Sequence, residues 1–252
     1  MKEKYGEIFG IRIAVGSREE LFSAAIPYLW RGGAIATVNP EMLSDSLDSV
    51  KLKGYLNSAL CIPDGVGVKM ALARSGVATE VLPGVELGEM LLDTVPVRLG
   101  IIGGTEGVAE AAMQNLLSRH HLASRAFALS GYKMRYSQYE RAIEESGAEV
   151  VFVCLGSPRQ ELFIAEARER FPSVLFAGLG GSVDIYSGKK HRAPALMRRL
   201  GLEWLYRIIK EPKRLSRVPK IARFFGKIGT FKRKSGIFSK KQATDTHFYE
   251  NL

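Results

Sequence analysis

The chain has only two cysteines in 252 residues, Cys61 and Cys154, and each sits inside a short apolar run. Two isolated thiols build neither a disulfide framework nor a paired-cysteine metal knuckle. They read as reduced core residues, because a free buried Cys behaves as a small hydrophobe. Long hydrophobic runs are missing too. The longest charge-free stretch, Phe171 to Val183, is 13 residues, short of the ~20 that span a bilayer as a helix. The N-terminus, Met1-Lys2-Glu3-Lys4-Tyr5-Gly6-Glu7, is charged and lacks an apolar signal core. The expected location is the cytoplasm, with any membrane contact peripheral.

Several catalytic signatures are absent. There is no Asp-x-Asp to hold a divalent ion on a sugar diphosphate, and no GxSxG nucleophile elbow. His120, His121, His191 and His247 do not fall at metal-ligand spacing. Neither GxGxxG nor a Walker lysine occurs, which argues against a nicotinamide-dependent enzyme. No metal and no cofactor are expected.

Acidic residues are scarce in one place. Between Lys189 and Lys241 only Glu203 and Glu211 oppose 18 Lys and Arg, a local charge of +16. Residues 1–188 sum to −4 and the last eleven to −2, so the formal +10 belongs to a cationic arm on a mildly acidic body. Leu202, Trp204, Leu205, Ile208, Ile209, Leu215, Val218, Ile221, Phe224, Phe225, Ile228 and Phe231 interleave with those cations. A surface both greasy and cationic suits the anionic face of a bilayer. A nucleic-acid-binding protein using the same arm is the alternative, disfavoured because no recognition-helix motif appears. A plainer reading makes the arm a solvated helix packed on the body or on another subunit. Homo-oligomerisation stays open.

Strand-like runs alternate with segments of helical period. The strands are Ile11–Val15, Ala34–Val38, Ala59–Pro63, Arg98–Gly103, Arg125–Leu129, Glu149–Leu155 and Val174–Leu179; the helices are Arg18–Trp30, Pro40–Ser49, Val66–Arg74, Val85–Thr94, Glu106–Arg119, Gln138–Ser146 and Pro158–Phe171. This rhythm predicts an α/β fold, a Rossmann-like, mostly parallel sheet with helices on both faces. The predicted organisation is a catalytic domain over 1–195, a basic amphipathic helical appendage over 196–241 and a disordered tail over 242–252. Within the arm a helix is expected through Gly201–Arg217, kinked or broken at Pro212, with a looser chain after Gly226.

Parallel sheets bind ligands at the carboxyl ends of their strands, so polar residues there carry most weight. Thr37-Val38-Asn39-Pro40-Glu41 ends one strand; Asn39 either caps the next helix or faces a ligand. Pro63-Asp64-Gly65-Val66-Gly67 ends the next. Its carboxylate is either an ordinary turn Asp or a general base for a hydroxyl. Gly103-Gly104-Thr105 is either a phosphate cradle or a tight strand–helix turn. In Gly156-Ser157-Pro158-Arg159-Gln160-Glu161, a capping box explains Ser157 and an acid or amide three or four residues on. It leaves Arg159 and Gln160 available for a phosphate or a sugar hydroxyl. Gly180-Gly181-Ser182-Val183-Asp184 ends the last core strand in the same manner.

These motifs occur in order, followed by Arg192-Ala193-Pro194 and Gly201-Leu202-Glu203-Trp204-Leu205-Tyr206-Arg207. Together, over roughly residues 8–217, they resemble the WecG/TagA/CpsF glycosyltransferases. The resemblance implies metal-independent, inverting transfer of an N-acetylmannosamine-type sugar from a UDP donor. The acceptor would be undecaprenyl-diphosphate-linked N-acetylglucosamine, in building teichoic acid linkage units or related surface glycans. It implies Asp64 as general base, Thr37, Asn39 and Gln160 in the active site, and Gly131-Tyr132 near the nucleotide. It also implies a membrane-docking appendage that brings arginines over the site, with Arg207, Arg214 and Arg217 as candidates. Gly103, Gly104, Arg159 and Asp184 complete the expected substrate-binding set, and no nucleic acid is expected as partner. One departure is Glu80-Val81-Leu82-Pro83-Gly84, where the family commonly carries Arg at the position of Val81. An arm residue such as Arg207 or Arg214 would replace that charge, or the donor or acceptor differs.

Overall fold

A computed structural model describes residues 4–120, 124–132, 134–230 and 238–239. The chain opens with a hairpin, β1 (Lys4–Ile8) and β2 (Ile11–Ala14), paired antiparallel. Phe9 (φ 54°) and Gly10 (φ 77°) form its two-residue turn, and positive φ at both positions matches the strand twist. The strand predicted at Ile11–Val15 therefore belongs to a separate hairpin and not to the main sheet. Its partner Lys4–Ile8 was hidden by charge, since Lys4 and Glu7 interrupt the apolar run.

After α1 (Arg18–Ala25) and α2 (Tyr28–Arg31) the parallel sheet begins. The predicted helix Arg18–Trp30 is split at Pro27, which cannot donate a helical hydrogen bond. Ser17 starts α1 with a capping box to Glu20. Then follow β3 (Gly33–Val38), α3 (Pro40–Asp45), α4 (Val50–Ser58), β4 (Leu60–Pro63), α5 (Val66–Arg74) and α6 (Gly84–Thr94). Helix α4 has no counterpart in the sequence reading. The rest of the body is β5 (Arg98–Gly103), α7 (Val108–Arg119), β6 (Ser124–Leu129), α8 (Tyr136–Ser146), β7 (Val150–Cys154), α9 (Arg159–Arg170), β8 (Leu175–Gly178) and α10 (Ser182–Tyr186).

The six strands lie in the order β4-β3-β8-β7-β5-β6, all parallel. Alternate residues enter two separate cores. Val151 and Val153 join one with Phe163 of α9 and Leu52 of α4, while Val150 and Phe152 join the other with Leu91 of α6 and Met113 of α7. Burial on both faces explains the near-continuous apolar strands and confirms helices on either side. Both cysteines are free and buried, and burial pushes each thiol up to about 12. All six carboxyl ends share one edge.

The arm continues as α11 (Ala195–Arg199), α12 (Glu203–Lys210), a 3₁₀ turn over Pro212–Arg217 and α13 (Val218–Thr230). Pro212 breaks the helix as expected, but the helix past it runs to Thr230 and does not loosen at Gly226. Phe224 explains the continuation. It is fully buried and packs edge-on against Phe9 of the hairpin turn, 5.7 Å between ring centroids. Lys220–Asp45 at 2.7 Å, Arg217–Glu41 at 3.4 Å and an Arg223–Asp48 pair tie the same arm to α3 and the turn after it. A two-residue strand β9 (Phe238–Ser239) pairs with β1. The tail over 242–252 lies outside the described residues.

Candidate active site

Asp64 follows β4 directly, and its backbone N–H donates to the Val38 carbonyl at 2.8 Å, which joins the ends of β4 and β3. Gly65 then takes φ 87° to start α5. A side chain at Gly67 would strike Pro40 of α3 at 2.6 Å, so the glycines of this motif let two helix starts converge beside the carboxylate. Asp64 is partly exposed. Burial pushes its carboxyl up to about 6; Arg207, Arg192 and an N–H from Gly84 pull it down, and Glu203 pushes it up. Three of those groups, Arg192, Glu203 and Arg207, come from the stretch after α10. The arm therefore lies within electrostatic reach of the candidate base.

Thr37 is buried one strand away and donates its hydroxyl to the Gly178 carbonyl at 2.8 Å. A Cβ on Gly84 would lie 3.1 Å from its Oγ1, so Thr37 and Asp64 flank the same glycine. Asn39 Oδ1 accepts from the Met42 N–H at 3.0 Å, the helix-capping role. The N-cap of α9 is Pro158, with no side-chain cap hydrogen bond; Gln160 and Glu161 turn inward, and the Ser157 side chain bonds to the Glu161 carboxylate. Gln160 Oε1 accepts from the Gly180 N–H at 3.1 Å and its Nε2 donates to Glu161 Oε1 at 2.7 Å. Gln160 thus clips the turn after β7 to the turn after β8. Burial raises the Glu161 carboxyl above its ordinary range, and its Oε2 has no hydrogen-bond partner.

On the other half of the edge, Arg159 Nη2 donates to the Gly131 carbonyl at 3.1 Å, and the Gly131 N–H donates to the Gly104 carbonyl at 2.9 Å. These bonds link the ends of β7, β6 and β5. A Cβ on Gly103 would lie 2.5 Å from that of Cys154, so close strand packing demands this glycine. Helix α7 starts at Val108, two residues later than the predicted Glu106, with a left-handed Gly107 at its N-cap. Tyr132 stands exposed at this rim.

Asp184 pairs with Lys190 at 2.8 Å, Lys190 with Glu211 at 3.2 Å, and Arg214 with Glu211 at 3.1 Å. Arg207 pairs with Glu203. Arg217 reaches Glu41, two residues past Asn39. The Val81 carbonyl accepts from Arg18 Nη1 at 3.5 Å; of the two arm arginines expected to stand in for a cation at position 81, Arg207 is the one Asp64 senses. Sequence reasoning missed Glu86, Arg192 and Glu203 as parts of this edge. A signal was present for two of them: Arg192 and Glu203 stand in the motifs that carry the family resemblance, and Glu203 is one of only two acids in the cationic stretch.

No group of three or more His, Cys, Asp or Glu gathers in metal-binding geometry among the described residues. No described helix is long and apolar enough to cross a membrane. The chain is similar to the N-acetylglucosaminyldiphosphoundecaprenol N-acetyl-beta-D-mannosaminyltransferase of Bacillus spizizenii, 32% identical over 200 residues that cover 77% of each chain. The Glycosyl transferase WecG/TagA/CpsF family matches residues 6–236. Nearly the whole chain is covered, strand-end motifs and arm included, and the protein belongs to that family of glycosyltransferases.

Proposed function

We propose that this enzyme moves an N-acetylmannosamine-type sugar from a UDP donor to undecaprenyl-diphosphate-linked N-acetylglucosamine, with inversion, in building a teichoic acid linkage unit or related surface glycan. The acceptor and the sugar are those in the name of the Bacillus relative. The observation that carries the mechanism is Asp64, a carboxylate whose pKa of about 6 suits proton removal near neutral pH, on one edge with Thr37 and Gln160.

In this reading Asp64 takes the proton of the acceptor hydroxyl as its oxygen attacks the anomeric carbon. UDP leaves from the opposite face in a single displacement, which inverts the centre. Charge developing on the diphosphate meets guanidinium groups, with Arg207 in electrostatic reach of the base and Arg214 and Arg217 farther along the arm. No metal takes part in this scheme.

The arm also serves as the membrane contact. Leu196, Leu200, Trp204, Ile209 and Leu215 are 49–68% exposed on α11, α12 and the 3₁₀ turn. Arg199, Lys210 and Lys213 stand among them, also exposed. Such a surface fits an anionic bilayer carrying the lipid-linked acceptor, and fits a nucleic acid poorly. The protein then works at the inner face of the cell membrane, bound from the cytoplasm.

The test is transfer from UDP-N-acetylmannosamine to a lipid-diphosphate N-acetylglucosamine analogue, read as UDP release. Asp64→Asn should fold normally and lose at least about a hundredfold in kcat, the usual share of a general base. Near wild-type turnover by that variant would overturn the base assignment.

A further inference from the structure

The segment between α10 and α11 holds Arg192 in an unusual setting. Its Nη1 lies 2.7 Å from Glu86 Oε1 on α6, and its Nη2 lies 3.6 Å from Glu203 Oε2 on α12. It bridges body and appendage. Glu86 is also paired with Arg18 on α1 and lies 3.9 Å from Arg198, while Glu203 is also paired with Arg207. Four guanidinium groups thus share two carboxylates, an excess of two positive charges, reduced to one when Asp64 ionises.

A purely structural bridge would satisfy its own donors. Here the Arg192 Nε–H is buried and makes no hydrogen bond among the described residues, although a buried donor without a partner is costly. Excess charge, an unused buried donor and electrostatic reach to Asp64 coincide at one residue. An anion rich in acceptor oxygens would satisfy all three, and a diphosphate offers them in the planar spacing that a guanidinium fork matches.

We propose that Arg192 is a ligand of a substrate diphosphate, and that Glu86 holds its fork in position until that anion displaces the carboxylate. The ligand class rests on the reading under Proposed function; the choice of Arg192 rests on the geometry. UDP and the lipid-linked acceptor both carry a diphosphate, so binding has to be measured for each.

Titration calorimetry at fixed ionic strength with UDP, and separately with a short-chain prenyl-diphosphate N-acetylglucosamine, decides between them. Arg192→Ala should weaken at least one ligand by about tenfold or more, the loss of one charge-assisted contact. A deficit confined to UDP assigns the donor; one confined to the prenyl analogue assigns the acceptor. Arg192→Lys keeps the charge but not the fork, and should also bind less tightly than wild type. Glu86→Gln removes the competing carboxylate and should bind at least as tightly as wild type. Wild-type affinity for both ligands in Arg192→Ala and Arg192→Lys would overturn the proposal. So would equal losses in Arg192→Ala and Glu86→Gln with faster proteolysis of the appendage, the pattern of a mere clamp. A wild-type protein that binds neither ligand would sink the broader function along with it.

Discussion

Asp64 experiences burial as a cost and as a tool. Its carboxyl moves from an ordinary 3.8 to about 6, chiefly because ionisation in the cleft loses solvation. Below pH ~4 folded and unfolded chains both carry the proton, so the raised pKa contributes its full stability there. As pH rises through about 6 that contribution is lost. Asp64→Asn should therefore melt higher than wild type at pH 8, by on the order of 2 kcal/mol of stability, and equally at pH 3. Transfer activity should show an acid limb near pH 6, and the residual activity of the variant should lack it. A limb that survives the substitution would move the titrating group elsewhere. In Pro63-Asp64-Gly65-Val66-Gly67 the sequence left two readings open, an ordinary turn Asp before Gly or a base at a strand end; the burial that raises its carboxyl comes from residues distant in the chain. Gln160 and Glu161 were less legible. Their spacing from Ser157 fits a capping box, and only packing reveals that both turn inward.

Among elements, α13 departs furthest from its sequence appearance. Phe224, Phe225 and Ile228 look like one face of a membrane-seeking helix, yet Phe224 is fully buried and the other two pack against the body core. Their partners, Phe9 and Gly67, lie far back in the chain, and no local pattern announces so distant a contact. Phe224→Ala should cost roughly 3–5 kcal/mol, the range for emptying a buried phenylalanine site. Hydrogen exchange should show that cost as lost protection over α13 with the parallel sheet unaffected. Arg223→Ala removes only an exposed pair with Asp48 and should change that protection little. If both variants loosened α13 equally, apolar burial would not be its anchor.

The whole molecule redistributes the charge that composition displays. Arg192, Lys190, Arg217, Lys220 and Arg223 all pair with acids of the body. Five of the arm's 18 cations therefore fasten it to a body of net −4. Among the described residues, the outward cations on α11, α12 and the 3₁₀ turn are those the proposed membrane contact would use. Changing Arg199, Lys210 and Lys213 together to Ala should weaken binding to vesicles containing anionic lipid by on the order of a hundredfold, at ~1 kcal/mol per cation. Changing Lys220 and Arg223 instead should leave vesicle binding close to wild type. The loss caused by the first set should shrink in high salt. Equal losses from the two sets would mean that the arm undocks before it meets the membrane.

The sequence by itself determined the alternation of strands and helices, the strand-end positions of Thr37, Asp64 and Gln160, and the separation of charge between body and arm. Those properties are local: periodicity, glycine and proline placement, and counts along the chain. The tertiary structure decided which cations face inward, that Gln160 ties two turns together, and that Glu86 gathers three arginines. Each of these joins residues far apart in the chain through side-chain geometry, which a one-dimensional pattern does not encode.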